Sequence, residues 1–149
     1  MNIRKGTSSD YPLLIALWRR AVECTHTFLT AHDIQNIEQE VQHVCLPAVD
    51  LWVAESSVDG PVSGIDGFMG LDGAKVEMLF VEPVRHGQGV GSRLLDHARR
   101  LHGILTLDVN AQNPQAHGFY RHYGFTETGR SEVDSGGRPF PLIHMHFGE

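Results

Sequence analysis

The sequence predicts an α+β protein, a three-layer arrangement in which a mixed sheet of about seven strands carries about four flanking helices, in a single domain spanning residues 1–149. Three observations carry this. The apolar pattern switches between periods of 2 and 3.6 in the order strand, two helices, three strands, helix, strand, helix, two strands, which is not a regular βαβ repeat. A glycine-rich segment, "HGQGVGS", separates an apolar strand-like run from a helix. The chain's 149 residues, 41% hydrophobic and 20% charged, suit one buried core.

In order along the chain, residues 2–6 suit a short first strand. Asp10 stands where a capping side chain would open the first helix, whose Leu13, Leu14, Leu17, Trp18, Ala21 and Val22 recur on one face. A second helix is predicted from about Ala31 to Cys45, before Pro47. "DLWVAES", "SGIDGFMGLD" and "AKVEMLFVEP" read as three strands, the last closed by Pro83. The glycine loop leads into a third helix with Val90, Leu94, Leu95, Ala98 and Leu101 on one stripe. "GILTLDVN" is mostly apolar and so belongs at the centre of the sheet. Asn113-Pro114 reads as an N-cap followed by proline at the first helical position. Ala116, Phe119, Tyr120 and Tyr123 share one face of that fourth helix, and Gly124 suits its C-terminal end. "FTETGRSEV" and "PFPLIHMHF" read as antiparallel strands joined by the turn "DSGGRP".

Composition narrows the function. A net charge of −6 argues against nucleic acid as the main partner. No run approaches the length of a membrane span, and "MNIRKGTSSD" has no apolar leader core, so the expectation is a cytoplasmic protein with no membrane partner. Cys24 and Cys45 are expected to be reduced thiols. Ten histidines raise the question of a metal. His144 and His146 alternate onto one strand face, but His117 and His122 do not share a helix face. With no cysteine or carboxylate spaced to complete a set, no metal is expected.

The glycine loop carries the chemistry. At the start of a helix the backbone N–H groups have no intrahelical partner, and glycines let them approach a ligand without Cβ atoms in the way. Several such donors with the helix dipole make an anion site, for which phosphate is the usual guest. The dipole is worth only about 0.3–1 kcal/mol per charge, so convergent donors must supply most of the binding. A Walker A loop is excluded because no Gly-Lys-Ser/Thr follows. Gly87, Gly89 and Gly91 are spaced G-x-G-x-G, with Ser92 where a dinucleotide fingerprint would have its last glycine. The plain alternative is a turn that only reverses the chain.

"VEPVRHGQGVGSRLL" resembles the Arg/Gln-x-x-Gly-x-Gly/Ala motif of the GCN5-related N-acetyltransferases (GNATs), with Gly89 and Gly91 as its glycines. The basic or amide position falls on His86, with Arg85 one residue early. "NAQNPQAHGFYRHYGF" is similar to the family's Asn-x-x-Ala-x-x-Phe-Tyr-x-x-x-Gly-Phe motif at Asn113, Ala116, Phe119, Tyr120, Gly124 and Phe125. Two motifs in the right order and spacing are more specific than either alone. "LWRRAVECTHTFL", "DLWVAE" and "TGRSEVDSGGRPFPL" extend the likeness over nearly the whole chain and resemble small bacterial acetyltransferases of the YjaB type. The resemblance implies a GNAT-like, mainly antiparallel sheet and acetyl-CoA as cosubstrate without a metal. It also implies direct transfer of the acetyl group, in a ternary complex, to a primary amine on a small molecule or peptide.

It further implies roles. The backbone of Leu79, Phe80 and Val81 would hydrogen-bond the pantetheine arm, which joins the sheet much as a strand does. His86, Gly87, Gln88, Gly89, Val90, Gly91 and Ser92 would hold the pyrophosphate, and Asn113 the arm or a phosphate besides capping its helix. Tyr120 would stand beside the sulfur. A phenol of pKa ~10 facing a thiolate of pKa ~8.5 gives up its proton at a cost of roughly 2 kcal/mol. A hydrogen bond that strengthens as charge develops, worth ~10²-fold, is the better role. A lysine-like amine costs roughly 4–5 kcal/mol to neutralise at pH 7. Glu77, sharing a face with Leu79 and Val81 on strict alternation, is the candidate base. Lys75 is its ion partner or lines the substrate mouth. Trp18, His26, Phe28 and Leu29 would lie near the acceptor. The sequence does not set the oligomeric state, but the last strand, if it is a sheet edge, could pair with a second copy as a homodimer. The alternative function on the same fold is a non-catalytic acyl-CoA-binding or sensing domain.

Overall fold

The structure, a computed structural model, describes residues 2–56, 64–134 and 136–148; Ser63 and Ser135, which the sequence assigns to a strand and a turn, lie outside them. Seven strands pair in the order β1-β2-β3-β4-β5-β7-β6. They are β1 (Asn2–Lys5), β2 (Asp50–Glu55), β3 (Ile65–Asp72), β4 (Lys75–Val81), β5 (Leu105–Asn110), β6 (Thr126–Ser131) and β7 (Leu142–Phe147). Every neighbouring pair is antiparallel except β4 with β5. Helices longer than a single turn are α1 (Tyr11–Thr25), α2 (Ala31–Glu40), α3 (Val90–His102) and α4 (Pro114–Tyr123). The expected mixed sheet and its four helices are therefore present. β5 is interior, as its apolar content required, but β7 lies between β5 and β6 and is not an edge. The edges are β1 and β6, because the hairpin formed with β6 docks through its second strand.

Each face of the sheet carries its own core. Beneath α3 and α4, Val90, Leu94, Leu95 and Ala98 pack on Leu71, Leu105, Leu107, Val109 and Met145. Beneath α1 and α2, Leu14, Leu17, Trp18 and Val22 pack on Leu51, Val53, Phe68 and Met78. The helical stripes are narrower than their spacing suggested, since Leu13 is 42% exposed and Leu101, in the last turn of α3, is 49% exposed.

Three local expectations change. Asp10 does not cap α1: it ends a 3-10 turn, Ser8–Asp10, and already has helical dihedrals. Its carboxylate turns back instead, accepting from Thr7 N–H at 2.9 Å and from Arg4 at 2.8 and 2.9 Å. The second helix does not stop before Pro47 but widens into a π turn, Val41–Cys45, and closes on Leu46–Ala48. Leu46 N–H reaches back five residues to the Val41 carbonyl. This wider winding accommodates a proline that cannot donate and would crowd the carbonyl four residues earlier. Third, β3 and β4 pair Gly70 with Met78 but Leu71 with Val76, leaving Glu77 as the extra residue of a bulge. Val76 belongs to the α3 core and Met78 to the α1 core, so the bulge swaps the strand's faces. Glu77 therefore does not share a face with Leu79 and Val81, as unbroken alternation had it.

The only parallel pair among the described residues is short. β4 and β5 are joined at Lys75–Thr106 and Val76–Leu107 and then diverge. From Glu77 onward β4 is bonded on its β3 side alone, and a slot opens between the two strands. Among the described residues no helix is long and apolar enough to cross a membrane. Cys24 and Cys45 are both free thiols.

Candidate active site

The loop between β4 and α3 turns on left-handed glycines. After the 3-10 turn Pro83–Arg85, Gly87 and Gly89 have φ of +80° and +83°, which L side chains rarely adopt. An added Cβ at either would have no protein atom within 4 Å, so both positions face open space. Gly91 differs: it is helical, and a Cβ there would come within 3.0 Å of the Phe119 ring on α4. Its missing side chain leaves room for the Phe119 ring. Among the described residues, the N–H groups of Gly87, Gly89, Val90, Gly91 and Ser92 have no acceptor within the protein. Together with the N-terminal dipole of α3 they form a cradle suited to a phosphate or pyrophosphate.

Ion pairs hold this loop from behind. Glu82, 4% exposed, takes a bidentate bond from Arg20 of α1 at 2.8 and 2.6 Å. Arg85 reaches Asp66 at the start of β3, at 3.1 Å. Arg85 is thus a brace for the loop.

The cradle opens into a cleft of about 680 Å³ that follows the slot between β4 and β5. Its walls are the end of α1 (Ala21, Thr25, His26), β4 from Val76 to Val81, the loop, the polar face of β5 (Asp108, Asn110) and α4. The unpaired edge of β4 offers backbone groups to an extended chain carrying amides. On α4, the Asn113 side chain accepts from Ala116 N–H at 3.2 Å and so caps the helix as expected, while also lining the cleft. Tyr120 lines it too, between the rings of Phe119 and Phe125. Its hydroxyl has no hydrogen-bond partner among the described residues, and burial pushes its pKa well above the usual value of 10.0.

On the floor, Lys75 Nζ lies 3.4 Å from Glu77 and 3.1 Å from Asp108. Asp108 also accepts from His144 Nδ1 at 2.5 Å, and His144 Nε2 meets Ser131 Oγ at 2.6 Å. Burial disfavours charge on Asp108, but His144 and Lys75 outweigh it and hold the carboxyl below its ordinary range. Glu77, with its side chain 35% exposed, sits in this ion network and not in an apolar setting.

The residues singled out from the sequence divide accordingly. Leu79, Phe80, Val81, His86, Gly87, Gly89, Val90, Gly91, Ser92, Asn113, Tyr120, Glu77 and His26 all line the cleft. Gln88 does not; its amide turns back to the Val84 carbonyl at 3.3 Å. Trp18, 2% exposed, and the half-buried Leu29 belong to the α1 core. Phe28 does not line the cleft; its ring packs at a tilt against His26. Lys75 touches the cleft only through its two carboxylates. The histidine pair at 144 and 146 serves Asp108 and Ser131 on the first member, and the described residues hold no group of three or more candidate metal ligands. Sequence reasoning missed Asp108 as a cleft residue, although "LTLDVN" alternates Leu105, Leu107 and Val109 inward with Thr106, Asp108 and Asn110 outward. The Arg20–Glu82 brace left no local signal, because its partners are 62 residues apart.

A main-chain anion cradle at the head of a slot between two diverging parallel strands, with a desolvated phenol in the same cleft, suits a ligand that carries a phosphate group on an extended arm. Comparison with known proteins agrees. The family description "Acetyltransferase (GNAT) domain" matches residues 47–127. The peptidyl-lysine N-acetyltransferase YjaB of Salmonella typhimurium is 45% identical over 145 residues, covering 97% of each chain. The solution structure of apo-form YjaB from Escherichia coli superposes with a TM-score of 0.87 at 42% identity, covering 99% of this chain and 98% of that one. The PaiA N-acetyltransferase of Thermoplasma acidophilum, solved in complex with coenzyme A, shares the fold at a TM-score of 0.77 and 20% identity, over 99% and 98% of the two chains. The chain belongs to the GNAT acetyltransferase family.

Proposed function

We propose that this N-acetyltransferase moves the acetyl group of acetyl-CoA to the side-chain amine of a lysine in a peptide or protein, directly, with both substrates bound. The observation that carries the reading is the set of unpaired N–H groups from Gly87 to Ser92, continuous with the open edge of β4 and with Tyr120. The cradle holds the pyrophosphate, and the pantetheine arm runs along Leu79, Phe80 and Val81 as an added strand. This delivers the thioester to the part of the cleft that Tyr120 lines. Because its hydroxyl keeps its proton, Tyr120 donates a hydrogen bond to the sulfur as the C–S bond breaks. Glu77 and the ionised Asp108 draw a cationic amine to the floor, where Lys75 already shows an ammonium held between them. The lysine acceptor is supported by the relatives' activity and by this acidic floor. The free thiols suit a reducing, cytoplasmic setting.

The test is thiol release from acetyl-CoA with a panel of acceptors: a capped peptide with one lysine, a peptide with a free N-terminus only, spermidine and an aminoglycoside. Release is expected above all with the lysine peptide. Tight CoA binding without release for any amine would replace this reading with a sensing domain.

A further inference from the structure

His26 ends α1 and lines the cleft, and its surroundings specify its protonation. Nδ1 lies 2.7 Å from Thr25 Oγ1, and that hydroxyl donates its own proton to the Ala21 carbonyl at 2.9 Å. With its single proton committed, the Thr25 oxygen accepts, so Nδ1 carries the imidazole proton and Nε2 carries the lone pair. The ring is steadied by Phe28 at 5.4 Å between centroids, and Phe28 in turn by Phe140 at 5.7 Å. Among the described residues Nε2 has no hydrogen-bond partner. An imidazole held at Nδ1 and on its ring thus stands in the α1 wall of the cleft that Tyr120 lines from α4.

We propose that His26 is the proton acceptor of the transfer, taking the proton from the acceptor nitrogen as the N–C bond forms, with Thr25 as the positioning residue that sets its ring and tautomer. The proposal rests on the acetyl-transfer reading and adds the base to it. The amine lone pair attacks the thioester carbonyl carbon, an N–C bond forms, and the C–S bond breaks with its electron pair leaving on sulfur. Tyr120 hydrogen-bonds that sulfur, and the nitrogen's proton passes to His26 Nε2. The imidazolium then loses its proton to solvent while the thiolate gains one, so that amine and acetyl-CoA yield amide and CoA.

The timing follows from acidity. A resting lysine ammonium, pKa ~10.4, holds its proton roughly four pH units too tightly for a histidine of ordinary pKa ~6.5. Nitrogen bonded to the carbonyl carbon is far more acidic, so transfer to His26 accompanies or follows attack. Burial pushes the His26 pKa below 6.5, leaving the imidazole neutral and able to accept at pH 7. The other titratable or charged cleft groups are Glu77 on β4, Asp108 on β5, Arg85 and His86 in the loop, and Tyr120 and His122 on α4. Of these, Arg85 is committed to Asp66 and Asp108 to Lys75 and His144.

The experiment is the pH profile of kcat/KM for the full chain, with acetyl-CoA and whichever amine of the panel above gives the fastest thiol release. The wild type is expected to lose activity twice over as pH falls below the His26 pKa: once from protonation of the amine, once from protonation of the base. His26→Gln should lower kcat about 100-fold, keep CoA affinity within about twofold, and show only the amine's limb. His26→Ala should regain turnover with added imidazole. Thr25→Val should lower kcat about 10-fold and Thr25→Ser restore it. An active wild type whose His26→Gln variant keeps both limbs, or loses only amine KM at constant kcat, would overturn this assignment alone. A wild type that releases no thiol with any amine would overturn the acetyl-transfer reading and the assignment with it.

Discussion

Gly89→Ala puts a methyl group where the backbone is left-handed, at φ +83°, and where the new Cβ meets no protein atom within 4 Å. The protein alone therefore feels only backbone strain, about 1–2 kcal/mol for an L residue. In a chain of this size 1 kcal/mol corresponds to about 2–4 °C of Tm, so the unliganded variant should melt about 2–8 °C lower. CoA at 100 times its Kd stabilises the wild type by about 2.7 kcal/mol, which raises Tm by roughly 5–11 °C. In the variant that rise should nearly vanish, because the methyl group enters the space the free N–H groups converge on. Gly91→Ala supplies the contrast. Its Cβ would lie 3.0 Å from Phe119 Cζ, a contact the ring relieves by moving a few tenths of an ångström. Alanine's helix propensity, about 1 kcal/mol better than glycine's, offsets part of that cost, so both Tm and its rise with CoA should stay near wild type. Melting curves with and without CoA, with Kd from calorimetry, decide the matter. A Gly89→Ala protein that melts lower as calculated yet binds CoA like the wild type would refute the main-chain cradle.

Tyr120→Phe should lower turnover about 100-fold while leaving CoA affinity within about twofold, as measured by steady-state rates and calorimetry; unchanged turnover would remove the phenol from the reaction. Glu82→Gln breaks the bidentate bond that ties α1 to the loop. Loss of a hydrogen bond to a charged group costs about 1.5–3 kcal/mol, and since the Arg20 side chain is 36% exposed to solvent screening the expected loss is nearer about 1–2 kcal/mol in urea melts. A loss below about 0.5 kcal/mol would mark the pair as an ordinary surface contact. The Arg4 hydrogen bond holds the Asp10 carboxyl below its usual range. A carboxylate with a depressed folded pKa stabilises the fold above its unfolded pKa and loses that contribution as pH falls through the folded one. The stability gap between wild type and Asp10→Asn should therefore be full at pH 7 and close as pH falls below about 4. A gap that stays constant down to pH 2 would separate Asp10 from acid unfolding.

Much of the fold was legible because its signals are local. Amphipathic spacing marked α1, α3 and α4, the Asn113-Pro114 pair marked the start of α4, and "LTLDVN" marked an interior strand. The expectations that changed depended on partners distant in sequence. The Glu77 bulge is a matter of register against Gly70 and Leu71, so alternation along β4 alone assigned the wrong face. Arg85 stands one residue early for the motif's basic position, and its role appears only with Asp66 of β3 beside it. Trp18 and Leu29 lay in a segment expected near the acceptor, but which side of α1 meets the core depends on how the helix docks on the sheet.

By itself, then, the sequence determined the order of elements, the glycine turn at the head of α3 and the place of Tyr120 on α4. Periodicity, capping and left-handed glycines act between residues a turn or a strand pair apart. Only the tertiary structure decided that β4 and β5 part after Val76, that Glu77 and Asp108 converge on one ammonium, and that His26 at the end of α1 lines the same cleft as Tyr120. Those features depend on where separate elements meet in space, and packing, not local propensity, sets that.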